Sequence, residues 1–572
     1  MKRKIDDNND DNNDDSYHKN DHPNKKKCVN FVSASKIRNF ILNDPIIDWF
    51  KIKYKSKNKS FSNNFLFQKG YEFEKYVINL LKQKINVTYV SNYITDETCK
   101  QTIEYMKHGV PLLYSAPVKN NINNTHGIID LLVRSDYLSY IFENSPISIE
   151  DTFIKSPKIN KNFYYVVIDI KFSTLHLVQN GKFVSNSNTF KPYKSQLLFY
   201  TQIIGLIQGY TSKYAFLLGK KCKYKENNKI IETDNCLSKL GIVNFETFDN
   251  QYLEKNIKAI QWIDYVQNNK LSPFCSQEMY PNMTINSNDF GTKKKKLAEK
   301  KGEITLLWNC GIKNRNFAHK NNIYSWKNKR CNSKTLGIKS VKHSNIIDNI
   351  LKVNRNNNIK IIPSVIKNNL CNWKRSKKYD FYVDFEVLSY NLFNIPFCHK
   401  TSTFIFMIGV GWEENNTWKY KNFTCNSISF EEEQKLINNF ISFIGIYKNP
   451  KLYYWFAEEN FWKKIVKRYH IKNTFTWIDL YKIFKNEPIV IKGSLNFKLK
   501  SIADSMYKQN MITTKITSTC SSGFEAMINA YNLYQNKINP STSKEMQDII
   551  KYNEFDCKVL WDILKYLRIN NT

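Results

Sequence analysis

The chain has 572 residues, 42% of them hydrophobic and 24% charged, which is room for two to four domains and the composition of a globular protein. Lysine and arginine total 86 against 51 acidic residues, and the net charge of +35 favours a polyanionic partner, with the Lys, Asn and Ile richness of an AT-rich genome as the competing source of the excess. Apolar runs such as Phe404 to Val410 fall far short of the roughly 18 residues of a membrane span; the MKRKIDDNNDDNNDD opening has no secretion-signal core, and twelve scattered cysteines form no Cys-x-x-Cys pair, so a reduced, intracellular, unsecreted protein is expected.

Residues 1–29 are Asp/Asn-rich and then basic at Lys25, Lys26 and Lys27, with almost nothing apolar to bury, and read as a disordered tail. A first globular domain is expected over 30–285. Within it 71–84 reads as an amphipathic helix, 126–134 and 163–172 as strands rich in Val and Ile, and 193–208 as a second helix. Residues 286–372 read as a basic linker with short helices: GTKKKKLAEKKGE is an exposed basic helix or linker, and 303–330 forms two short helices around Gly311. A second domain is expected over 373–572, with strands at 379–387 and 402–412 and helices near 430–444, 459–468 and 547–567. Two α/β domains joined by a basic helical connector is the fold class this pattern predicts.

Two constellations carry chemistry. In FYYVVIDIKFS, Asp169 and Lys171 are two apart on a strand and share one face. His126-Gly127-Ile128-Ile129-Asp130 opens another strand and supplies a second carboxylate. Two carboxylates beside a lysine can hold a divalent metal and its water, and the lysine can orient that water for attack on phosphorus. Gln196 and Tyr200 are four apart on one helix face, and Glu74 lies on the apolar side of its helix with Val77, Ile78 and Leu81, where a carboxylate needs a metal or a cation. A lone Asp-x-Lys is more often a surface ion pair; four motifs in order are not.

Gly70-x-x-x-Glu74, His126-Gly127-x-x-Asp130, Asp169-x-Lys171 and Gln196-x-x-x-Tyr200 resemble, in that order, the RecB-like branch of the PD-(D/E)XK nucleases, over roughly 31–275. The resemblance implies a restriction-endonuclease-like fold. It implies Glu74, Asp130 and Asp169 as metal ligands, Asp130, Asp169 and Lys171 as the hydrolytic set, and His126, Gln196 and Tyr200 as supporting or DNA-contacting residues. Some relatives bind an iron–sulfur cluster through four cysteines. Here Asp44-Pro45 stands where the first is expected and Cys275 is alone, so no cluster is expected.

Downstream, YDFYVDFEVLSY places Asp384 and Glu386 on one strand face, and KYNEFDCKVLWDIL places Tyr552 and Asp556 one helical turn apart. This resembles the RNase H-like DEDDy 3′–5′ exonucleases over roughly 373–572. The resemblance implies metal binding by Asp384, Glu386, Asp556 and a middle acid, with Tyr552 positioning water. Glu459 in LYYWFAEENFWKK is the expected middle acid, Glu458 the substitute, and Asp479 a neighbouring structural acid. A RecB-like nuclease fused to an RNase H-like domain resembles proteins of bacteria and large DNA viruses. The expected function is a Mg²⁺- or Mn²⁺-dependent nuclease hydrolysing DNA phosphodiester bonds, an exodeoxyribonuclease in DNA repair, recombination or end processing. The alternatives are a catalytically inactive nucleic-acid-binding scaffold, or an RNA-directed or proofreading exonuclease working through the C-terminal domain. No G-x-x-x-x-G-K-[ST] loop is present, so any helicase would be a separate partner.

Overall fold

The computed structural model describes residues 31–54, 61–233, 235–268, 279–287, 289–376, 379–393, 395, 403–472, 475–515 and 522–572. The expected tail and Cys275 lie outside them.

Alternating Val, Ile and Leu build the N-terminal sheet. Helix α1 (Phe61–Lys82) is followed by strands β1 (Leu112–Asn120), β2 (Thr125–Arg134) and β3 (Tyr165–Val178), then helix α2 (Lys191–Gln208) and strand β4 (Tyr214–Glu226). β1, β2 and β3 pair antiparallel in sequence, and β4 returns through α2 to lie parallel to β3. Such a parallel return requires a crossover, which α2 supplies. The sheet is covered on both faces. Phe73, Val77, Ile78 and Leu81 of α1 pack on Leu131, Val133, Val166 and Ile168, while Leu197, Leu198, Ile203 and Ile204 of α2 pack on Leu132, Val167 and Leu217. Predicted helix 71–84 is thus the second half of a longer helix. The first half reaches the C-terminal domain, where the Phe65 ring lies 5.6 Å from Phe393 and 6.3 Å from Tyr531.

The expected linker is not a free connector. In helix α3 (Gly291–Lys301), Lys294 is buried and its Nζ donates to Asp44 at 2.5 Å and to the Ile285 carbonyl at 2.7 Å. Further on, Ile304, Leu307 and Trp373 join Ile346, Ile347 and Ile350 of helix α4 (Val341–Arg355) in one core with Tyr453, Ile478, Leu560 and Ile563. The basic exterior of this segment hid the apolar stripe of α4, which faces the domain behind it.

The C-terminal sheet has β5 (Asp380–Ser389) at its centre. β6 (Thr403–Glu414) and β7 (Thr417–Thr424) add to it antiparallel on one side, β8 (Lys451–Tyr454) and β9 (Thr476–Asp479) parallel on the other. Helices α5 (Glu458–Tyr469), α6 (Leu499–Lys508), α7 (Gly523–Gln535) and α8 (Lys544–Asn570) surround it. Ile350 is fully buried, so Ile350→Ala should cost about 2–5 kcal/mol in urea denaturation of the whole chain. A residue of a solvated spacer would instead give a change within about 0.5 kcal/mol.

Candidate active sites

In the N-terminal domain the acids stand where a ladder stops. β2 and β3 are paired from Arg134↔Tyr165 to Leu131↔Ile168, and the next residues are Asp130 and Asp169. Beyond that point Asp130 Oδ2 takes the place of a strand partner, accepting from the Ile170 amide at 2.8 Å. On the other side of β2, Ser115 interrupts β1 with a φ of 57°. Asp169 is buried, with Lys171 Nζ 2.6 Å away and Gln196 Nε2 donating to its Oδ1 at 3.1 Å. Glu74 reaches the same place from α1, accepting from the Tyr114 hydroxyl at 2.9 Å.

These groups feel one another. Burial, then the charge of Asp130, pushes the Asp169 carboxyl up to about 8 in spite of Lys171. Glu74 is raised by burial and by Asp130. Burial alone would lower Lys171, but Asp169 and Asp130 hold it protonated above the usual lysine range. Tyr200 lies beneath, its hydroxyl kept protonated by burial and by Asp169 and Asp130. Its ring occupies the space where a Cβ on Gly127 would sit, only 2.4 Å from the nearest ring carbon, so Gly127 is required for that contact. His126 stands four residues before Asp130, and its ring stacks on Phe31 at 5.5 Å. The structure therefore brings Glu74, Asp130, Asp169, Lys171, Gln196 and Tyr200 together. Asp44, at the position considered for a cluster cysteine, is held by Lys294 and the Asn282 amide.

The C-terminal acids converge from three elements: Asp384 and Glu386 from β5, Glu458 from the first turn of α5, and Asp556 from α8. Asp384 is raised well above the usual carboxylate range by burial and by Glu386, Asp556 and Glu458. Burial with Asp556 takes Glu386 to about 8, burial with Asp479 and Asp556 takes Glu458 to about 8, and burial takes Asp556 to about 6. Lys500 of α6 is the cation whose charge opposes these shifts at Asp384, Glu386 and Asp556. Its Nζ lies 4.0 Å from the centre of the Tyr552 ring, and the Tyr552 hydroxyl bonds Asp556. Asp556 Oδ1 is buried without a hydrogen-bond partner among the described residues.

The expected middle acid is corrected by one position. Glu459 turns outward, accepting from the Tyr454 hydroxyl at 2.7 Å and pairing with Lys463 at 2.8 Å. Glu458 is the buried one, its Oε2 accepting from the Ala457 amide at 3.1 Å. Asp479 caps the helix Leu480–Asn486 and accepts from the Phe456 amide at 3.2 Å. Asn553 was not legible as a site residue. It is fully buried, and its Nδ2 donates to Asp384 Oδ2 at 2.8 Å and to the Asp384 carbonyl at 3.1 Å. Its Oδ1 accepts from Tyr420 at 2.9 Å and occupies the place a Cβ on Gly409 would need. Its position three residues before Asp556, on the same helix face, was the available signal.

A family model of the RNase H superfamily matches residues 396–568. The C-terminal region is an RNase H-superfamily domain. The match takes in Glu458, Asn553 and Asp556 and begins after Asp384 and Glu386. No curated protein and no solved structure matches the chain. The superfamily indicates nuclease-type hydrolysis and a nucleic-acid substrate, and its members typically use divalent metals. Among the described residues no group of three or more His, Cys, Asp or Glu side chains is placed so as to hold a metal ion. The donor chemistry of the C-terminal acids is that of a hard cation's ligands: carboxylate oxygens, one of them, Asp556 Oδ1, buried without a hydrogen-bond partner among the described residues, with the charge of Lys500 opposing their mutual repulsion.

The raised carboxyls fix the sign of a pH dependence. Asp169, Glu386, Glu458 and Asp556 hold protons in the folded state that the unfolded chain has already released between roughly pH 4 and 8. In EDTA the melting temperature should therefore fall as pH rises through that window, and Glu386→Gln should flatten the fall. A melting temperature that rises from pH 5 to 8 would show that these carboxyls are not held protonated.

Proposed function

We propose that the protein is a divalent-metal-dependent nuclease that hydrolyses DNA phosphodiester bonds at two separate acidic sites, in repair, recombination or end processing. The observation that carries this reading is the gathering of acidic side chains at the sheet of each domain, Glu74 and Asp130 around the buried Asp169 in one and Asp384, Glu386, Glu458 and Asp556 in the other, the second in the RNase H-superfamily domain. For the N-terminal domain the reading is a RecB-like PD-(D/E)XK nuclease. What supports it is the helix, three strands, helix, strand order, with Asp130, Asp169 and Lys171 on adjacent strands and Glu74, Gln196 and Tyr200 reaching them from the flanking helices.

Each residue then has a role. Glu74, Asp130 and Asp169 would hold Mg²⁺ or Mn²⁺, which when bound neutralises phosphate charge and makes water more acidic. Lys171 stays protonated and can hold the attacking water or a phosphate oxygen by hydrogen bonding. Gln196 fixes the rotamer of Asp169, and the Ile170 amide fixes that of Asp130. In the C-terminal site Asp384, Glu386, Glu458 and Asp556 would hold metal; Asn553 orients Asp384, Tyr552 orients Asp556, and Lys500 supplies a cation for a phosphate. A strongly basic chain suits a DNA partner, because neutralised phosphates release counterions.

End-labelled single- and double-stranded DNA, incubated with Mg²⁺, Mn²⁺ or EDTA, tests this. Wild type should cut with metal and not with EDTA. Lys171→Ala and Asp384→Ala should each remove the activity of their own domain, by about 100-fold or more, and the double variant should be inert. Cleavage by the double variant at the wild-type rate, or no cleavage by wild type with either metal, would contradict the proposal.

A further inference from the structure

Phe456 stands out on the surface of the C-terminal site. Its backbone has a φ of 87°, a left-handed conformation that bulky side chains rarely adopt. The residue is 61% exposed, so burial does not compensate that conformation. The loop is held from outside: Asp479 Oδ1 accepts the Phe456 amide at 3.2 Å, and Glu458 Oε2 accepts the next amide, of Ala457. The ring stands edge-on to Tyr481, 5.1 Å between centroids, and Tyr481 in turn lies 6.0 Å from Trp455. Lys485 Nζ sits 4.9 Å from the Tyr481 ring. Two residues after Phe456 comes Glu458, one of the clustered acids.

A strained, exposed aromatic side chain beside an acidic site is a feature for which packing gives no reason, and such strain persists where function requires the geometry. We infer that Phe456, backed by Tyr481, is a stacking platform for a nucleobase, holding an unpaired strand against the C-terminal acids while Lys485 faces its backbone. Stacking suits any base, since each offers a π-face, so the platform selects unpaired over paired nucleic acid rather than a sequence. This rests on the reading of the C-terminal domain as a nuclease and adds to it the site that seats the strand.

The test uses the full chain and fluorescein-labelled single-stranded DNA and RNA oligonucleotides in EDTA, so that binding is read without cleavage, with a duplex of the same sequence alongside. Phe456→Gly removes the ring and also the left-handed strain. It should raise the melting temperature by about 2–4 °C while weakening single-strand binding about tenfold or more, with little change for the duplex. Phe456→Trp keeps a stacking face and should bind as wild type does. Single-strand binding by Phe456→Gly at wild-type strength overturns the platform while leaving the nuclease proposal standing. A melting temperature that falls in step with binding also overturns it, because the ring would then be a structural element. If wild type binds no nucleic acid at all, both the platform and the nuclease reading fail. Comparison of the DNA and RNA oligonucleotides shows which unpaired strand the platform seats.

Discussion

Carboxylates placed next to one another away from water repel, and a buried one among them holds its proton more tightly than it would in solution. That constraint organises both ends of this molecule. In the N-terminal domain it is met by halting the β2–β3 ladder at Asp130 and Asp169, giving Asp130 a backbone amide to accept and setting Lys171 against Asp169. In the C-terminal domain it is met by Asn553 on Asp384, Tyr552 on Asp556 and the charge of Lys500.

The rest of the fold serves to hold these acids in place. Helix α1 belongs to both halves: Phe65 sits among Phe393 and Tyr531 of the C-terminal domain, and Glu74, further along the same helix, is in the N-terminal site. Residues 304–373 complete the core behind β8 and β9, so the C-terminal sheet is supported from a stretch of chain that precedes it. Gly127 and Gly409 do similar work in the two domains. Each leaves a space that a site side chain fills, Tyr200 in one and Asn553 in the other.

Much of this was legible in the sequence where periodicity and spacing coincide. Strand alternation placed Asp169 and Lys171, and Asp384 and Glu386, on common faces, and helical spacing put Tyr552 with Asp556; the structure has all three arrangements. The core role of 304–373 was not legible, because its lysines and asparagines dominate the composition and its apolar residues are spread among them. Glu458 and Glu459 are adjacent in a helical first turn, and which one faces inward depends on how α5 docks, a tertiary fact. Asn553, Lys500 and Tyr114 belong to no motif; they act as neighbours brought in by packing.

The proposed function requires both clusters to take up a hard divalent cation. The direct measurement is Mn²⁺ titration at pH 8, followed by electron paramagnetic resonance, of wild type, Asp169→Asn and Glu386→Gln. Wild type should take up Mn²⁺ in two populations, with one lost in each variant. Absence of specific Mn²⁺ uptake by wild type, or uptake that neither substitution changes, would contradict the account.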